Sequence, residues 1–376
     1  MIYLDNPATS MRKPACVISA MARNTRNFSV NAGRGGHSYS IKGAGAIAET
    51  QEALAEFFGI KNPERIAFTQ NATYALNMGI TGFLTRRDHV IITSMEHNSV
   101  LRPVHRLCSY TIVEANSQGE IDPRQIERAI RRNTKMVITT HASNVCGTIM
   151  PVYEIGKICK KYGLVYMLDS AQTAGIIPID VEKMGVSMLA FSGHKGLMGP
   201  LGTGGLYVSE SVNLSPVIVG GTGTQSKSRF QPENMPDMLH SGTLNTPAIM
   251  TLKTAVEYIN SVGINNIEEK ERSLAEYLIS GLKNIQGVTV YGKEKGNRNG
   301  TVAFNIGSLA SGEVADMLDR DFGIAVRGGY HCAYTAHQSL GSEKSGAVRA
   351  GFGVFDTKKE ADSLLFAVNK IANLRK

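Results

Sequence analysis

Tryptophan is absent from the chain, and cysteine is scarce: Cys16, Cys108, Cys146, Cys159 and Cys332, with no CxxC pair among them. That spacing lacks the usual zinc-site patterns, and an odd number of cysteines argues against a disulfide framework, so free thiols and no metal site are expected. No segment reaches the roughly 18 consecutive apolar residues that span a bilayer. The opening MIYLDNPATS has neither the basic stretch nor the apolar core of a signal peptide. No membrane association is expected, and the cytoplasm is the expected compartment. A basic block is missing as well. The net charge is +8, yet lysines and arginines are interspersed with acids, as in IERAIRRNTK and EEKERSLAEY, without interleaved aromatics. This argues against a nucleic-acid partner and for a solvated basic surface that attracts small anions.

What the chain does have is length enough for a large and a small domain, with 376 residues, 42% hydrophobic, and no internal repeat. From about residue 48 to 208, seven short apolar, β-branched runs alternate with helical spacing: RIAFT, HVIIT, YTIVE, KMVITT, LVYMLD, MLAFS and GGLYV. The pattern predicts an α/β fold, with a mostly parallel sheet of seven-stranded type flanked by helices on both faces. Beyond a Gly-rich stretch and SGTLNTP, helices are expected near 248–262, 266–284 and 312–321. Strands are expected at GVTVYG, TVAFNI, IAVR and VRAGF, a polar loop over 328–346, and a terminal helix. The division this suggests is an amino-terminal segment 1–15 joining the small domain, a large domain 16–247, and a smaller α+β domain 248–376.

Ligands of such sheets sit at the carboxyl ends of the strands, so the polar residues just after the apolar runs should gather on one edge. Lys195, in FSGHK, emerges there between apolar and Gly-rich segments; it fits a desolvated nucleophile or base and equally a solvated strand-end lysine. Asp169 ends LVYMLD; it suits the partner of a protonated pyridine nitrogen and also a helix cap. Gln172 stands three residues on, able to donate to a phenolic oxygen. At Asn71-Ala72-Thr73 a strand turns into a helix whose free N–H groups offer a phosphate site, or simply a capped helix start. Ser192 and His194 are further donors. His97 follows a strand and fits a ring laid on a flat cofactor or a structural histidine; Asn144 fits a ligand or a turn.

Together these segments closely resemble the class V, fold type I enzymes that use pyridoxal 5'-phosphate (PLP), in particular cysteine desulfurases and selenocysteine lyases. The likeness covers nearly the whole chain: YLDNPATS, VNAGRGGHSYS, NATYALN, EHNSV, SNVCGT, DSAQ, SGHK, SGTLNTP, RGGYHCA and VRAGF. It implies that Lys195 carries PLP as a Schiff base, that Asp169 pairs with the pyridine nitrogen, and that Gln172 touches the phenolic oxygen while His97 stacks on the ring. It also implies that Asn71, Ala72, Thr73, Ser192 and His194 form the phosphate end, with Thr243 reaching the phosphate of a neighbouring subunit in a homodimer.

Cys332 lies in the polar stretch RGGYHCAYTAHQSLGSEKSG, apart from the three cysteines in or beside apolar runs, and Arg327 and His331 flank it in a way that favours a nucleophilic thiolate. Arg349 follows, an arginine fork suited to an amino-acid carboxylate. The family uses it so, with Asn144 helping and Arg327 and Arg34 at the substrate end. The short interval from Cys332 to Arg349 and the RxGxHCA pattern resemble the group that includes selenocysteine lyase-like members. Two departures stand out: Gly33 precedes Arg34 where relatives often have histidine, and Tyr334-Thr335-Ala336 replaces a Gln-Pro-like continuation. The expected activity is PLP-dependent conversion of L-cysteine to L-alanine, with persulfide formation on Cys332 and sulfur transfer to an acceptor protein or small thiol. The alternatives are selenocysteine lyase acting on L-selenocysteine, another class V reaction such as transamination or epimerisation, and a non-catalytic binding protein on this fold.

Overall fold

The computed structural model describes residues 1–373. Its larger sheet has seven strands in the order Ile66–Thr69, Gly204–Val208, Met188–Ser192, Val165–Asp169, Thr134–Thr140, His89–Thr93 and Ser109–Val113. Gly204–Val208 runs antiparallel to both of its neighbours, and the remaining pairs are parallel. Each strand is one of the seven apolar runs. Successive side chains of a strand point to opposite faces. Leu189 and Phe191 therefore enter one core with Phe58 and Leu252, while Met188 and Ala190 enter another with Met78 and Met167. Covering both faces in this way is what a mostly parallel sheet requires.

A second sheet of four antiparallel strands follows the order Arg327–Gly329, Ala347–Gly351, Thr301–Ile306 and Val288–Tyr291. Leu278, Leu318 and Leu364, from helices Ile264–Lys283, Ser311–Phe322 and Lys358–Asn373, share a third core with Phe304 and Val348 of its strands. The first residues of the chain join this region. Ile2–Tyr3 pairs in parallel with Ile324–Ala325, and Asp5 bridges to Gly351. Helix Thr246–Val262 packs instead on helices Ala15–Phe28 and Ser38–Phe58.

The expected loop over 328–346 is only partly a loop. It contains helix Tyr334–Leu340, stopped by Gly341 at φ 75°. Ala336, His337 and Leu340 form its buried side, an apolar pattern too short and too mixed with polar residues to show in the sequence. Cys146 and Cys159 are buried, Cys108 is half-buried, and Cys16 and Cys332 are exposed thiols. Among the described residues no helix is long and apolar enough to cross a membrane, and no cluster of His, Cys, Asp or Glu could hold a metal ion.

Candidate active site

The carboxyl ends of four central strands and the start of helix Ala72–Phe83 open on one pocket. Asn71, Ala72, Thr73, His97, Asn144, Asp169, Gln172, Ser192, His194 and Lys195 all line it. The turn carrying Lys195 depends on glycine: a Cβ on Gly193 would stand 2.2 Å from Thr203 Oγ1. The amino-terminal segment braces the same turn from behind. Ser10 Oγ donates to the Lys195 carbonyl at 2.9 Å, and Thr9 Oγ1 and Lys13 Nζ donate to the His194 carbonyl at 3.2 and 2.9 Å.

Burial dominates the electrostatics. Desolvation pushes Lys195 down to about 8, against the pull of the Asp169 charge. Asp169 is raised by burial, opposed by the Ala171 N–H at 2.9 Å and by Lys195. No described lysine, arginine or histidine lies within ion-pair distance of this acid, so its charge is open to a cationic ligand. His97 caps helix Asn98–Leu107 by accepting the Ser99 N–H at Nδ1, 3.1 Å, which leaves the Nε2 edge to carry the proton. Burial, then Lys195, pushes its pKa down to about 4, so the ring is neutral. His194 is likewise pushed down to about 4, chiefly by burial, and its Nδ1 meets Thr9 Oγ1 at 3.0 Å. At the helix start, the Ala72 N–H donates to Ser192 Oγ at 3.2 Å, and Thr73 Oγ1 meets Ser99 Oγ at 2.8 Å.

Two expected side chains are partly committed elsewhere. Gln172 Nε2 donates to the Pro7 carbonyl at 3.0 Å, and Asn144 Nδ2 donates to the His331 carbonyl at 2.7 Å. Ser99 and Thr140 line the pocket without having been singled out in the sequence. Both obey the strand-end rule, Ser99 two residues after His97 and Thr140 at the end of KMVITT. Glu96 lies buried beneath them. Its Oε1 accepts from Thr93 Oγ1 at 2.6 Å and Thr140 N at 3.0 Å, Oε2 has no partner, and burial pushes it up to about 8.

Arg349 is buried. Its Nη2 meets Asp5 at 2.6 Å, Nη1 donates to the Asn144 carbonyl at 3.1 Å, and Nε has no partner. Arg327 is exposed and lies opposite Arg349 in the small sheet. Cys332 is exposed, one residue after His331. The expectation that His331 lends it positive charge is corrected: the ring is buried, its Nε2 donates to the Ala347 carbonyl at 3.0 Å, and burial with nearby Arg349 pushes its pKa down to about 2. Thr243 and Arg34 lie away from this pocket. Thr243 lines a separate recess with Phe68 and Tyr74, and Arg34 Nη2 donates to the Gly242 carbonyl at 2.7 Å.

The residues present fit PLP. A desolvated lysine suits a carbonyl, a buried acid lacking a cation suits a protonated pyridine nitrogen, and a helix start beside Thr73, Ser192 and His194 suits a phosphate. Known proteins agree in kind. A probable cysteine desulfurase from Methanothermobacter thermautotrophicus is 35% identical, the match covering 99% of this chain and 95% of that protein. A cysteine desulfurase from Haloferax volcanii is 30% identical over 100% of this chain and 90% of its own. The apo structure of cysteine desulfurase from Thermococcus onnurineus NA1 superposes with a TM-score of 0.92 at 33% identity, covering 99% of this chain and 94% of that one. The family model described as Aminotransferase class-V matches residues 2–364, and the chain belongs to that family.

Proposed function

We propose that the protein is a PLP-dependent cysteine desulfurase that converts L-cysteine to L-alanine and carries the removed sulfur as a persulfide on Cys332. The observation that carries this reading is a single pocket that brings Lys195, Asp169 and His97 together, with Arg349 on the small sheet and Cys332 in the turn that follows strand Arg327–Gly329 and bonds back to Asn98. When bound, PLP supplies the electron sink that weakens the Cα–H and Cβ–S bonds of an amino acid.

The chain's own residues supply the rest. Lys195 Nζ holds the cofactor and then, desolvated to about 8, moves the Cα proton of the substrate. With the cofactor bound, Asp169 would pair with the ring nitrogen and neutral His97 would stack on the ring. Thr73, Ser192, His194 and the helix start at Asn71 and Ala72 hold the phosphate. Arg349 meets the substrate carboxylate, with Asn144 and Arg327 shaping that end, while Arg34, which lies away from this subunit's pocket beside Gly242, serves the substrate end of the partner's. Gln172 reaches the phenolic oxygen with the amide hydrogen that Pro7 does not use. The Cys332 thiolate attacks the substrate sulfur. The new S–S bond forms as the Cβ–S bond breaks, and the electron pair of that bond leaves with the carbon fragment, which is protonated to alanine. The sulfur then passes to an acceptor protein or small thiol.

We place the enzyme in the cytoplasm, as a homodimer in which Thr243 serves the partner's phosphate site. The domains expected from the sequence, 1–15 with the small domain, 16–247 and 248–376, shift at one boundary, because helix Thr246–Val262 packs on the large domain's helices Ala15–Phe28 and Ser38–Phe58. The experiment is the visible absorbance of purified protein with added PLP, followed by L-cysteine, with alanine and sulfide measured in wild type and Cys332→Ala. A cofactor band with alanine formation that Cys332→Ala abolishes is expected. Failure to acquire the band overturns the reading; alanine and sulfide release that survive Cys332→Ala overturn the role of Cys332.

A further inference from the structure

His331 and Cys332 both take up left-handed backbone, at φ 50° and 58°, although neither is glycine. Two adjacent non-glycine residues stay there only if their surroundings hold them. Three hydrogen bonds do so. Asn144 Nδ2 donates to the His331 carbonyl at 2.7 Å, the Asn98 N–H donates to the Cys332 carbonyl at 2.7 Å, and His331 Nε2 donates to the Ala347 carbonyl at 3.0 Å. Of these anchors Asn144 lines the cofactor pocket, and Asn98 stands in the chain between His97 and Ser99, which do. The third lies on the strand that carries Arg349, two residues before it, and Arg349 Nη1 returns to the Asn144 carbonyl at 3.1 Å. The exposed thiol and the buried arginine fork therefore share one hydrogen-bonded frame.

We propose that Asn144 and His331 are positioning residues, which fix the Cys332 thiol relative to Arg349 and the cofactor pocket so that the sulfur meets a substrate whose carboxylate is already held. The proposal rests on the reading in which Cys332 receives sulfur. It gives Asn144 a task beyond ligand contact and gives His331 one through its Nε2 proton and not through charge.

The test uses the PLP-loaded protein with His331→Leu, which removes the donor, His331→Gln, whose amide restores one, and Asn144→Asp, which cannot donate to the His331 carbonyl. Desulfuration kinetics are read together with iodoacetamide alkylation of Cys332 relative to exposed Cys16 on the same chain, by peptide mass spectrometry. His331→Leu is expected to lower kcat about 100-fold, the scale of an ångström misplacement, with little change in KM, an unchanged cofactor band and an altered Cys332 to Cys16 ratio. Asn144→Asp alters the ratio in the same sense, and His331→Gln recovers most of both losses. An unchanged alkylation ratio in His331→Leu, or a loss of kcat that His331→Gln does not recover, overturns the proposal. If Cys332→Ala still makes alanine and sulfide, the underlying functional reading fails. The alkylation ratio, which needs no turnover, then decides the frame alone.

Discussion

The Lys195 pocket and the Cys332 turn are built on opposite terms. The pocket stands at the strand ends of a fully covered sheet, its histidines neutral and its lysine turn braced by Thr9, Ser10 and Lys13. The turn follows a short strand of the small sheet, with Cys332 exposed and His331 buried, in left-handed backbone, held by a few long-range hydrogen bonds. One site has to keep a cofactor in a fixed orientation, while the other has to meet both a buried substrate and an external sulfur acceptor. Rigidity suits the first task, and a tethered, accessible thiol suits the second.

The contrast breaks most sharply at Lys195. Lys195→Ala is expected to lower alanine formation about ten-thousandfold, the upper range for a positioned acid–base group, and to abolish the Schiff-base absorbance, whereas changes at the Cys332 turn spare that absorbance. A lysine variant that keeps both band and rate would dissolve the distinction. Arg349→Ala comes next. It removes the charged hydrogen bonds offered to the carboxylate and is expected to lower kcat/KM about 100-fold. Leaving Asp5 half-buried without its cation costs about 3 kcal/mol of stability, to be read by urea denaturation.

Acid sensitivity is common to both regions, because buried histidines stand neutral in each. Burial pushes His141 down to about 4 from 6.5, so unfolded chains take up that proton below 6.5 while folded chains refuse it until about 4. The unfolded state then binds more protons, and stability falls as pH drops through that window, by about 1.4 kcal/mol per pH unit for each such group. His97, His194, His240 and His337 act in the same direction. His141→Gln should flatten the fall of the thermal midpoint between pH 6.5 and 4, and an unaltered slope would show that His141 is not held neutral. The smallest effect is expected at Gln172→Ala, which removes one hydrogen bond and should weaken PLP binding about five-fold, measured by titrating apoprotein.

The large sheet was legible because each strand is a short apolar run ended by a polar residue, and the same rule gathered Asn71, His97, Asn144, Asp169, Ser192 and Lys195 at one edge. Spacing carries no information on what lies across the chain. The braces from Thr9 and Ser10 to residues 194 and 195, the Asp5–Arg349 pair, and the bond from Asn144 to His331 all join segments far apart in sequence. His331 was misread for that reason: beside Cys332 in the chain it looks like a cation, while in the fold its ring turns inward to Ala347. Helix Tyr334–Leu340 was hidden by its own polar face.

The central claim is that sulfur leaves the substrate for Cys332. Its most direct measurement is the intact mass and peptide map of PLP-loaded protein quenched with an alkylating agent after one turnover with L-cysteine. One additional sulfur atom on the peptide bearing Cys332, absent from those bearing Cys16 and Cys108, is the predicted result. Alanine formed in stoichiometric amount with no added sulfur on Cys332 would contradict it.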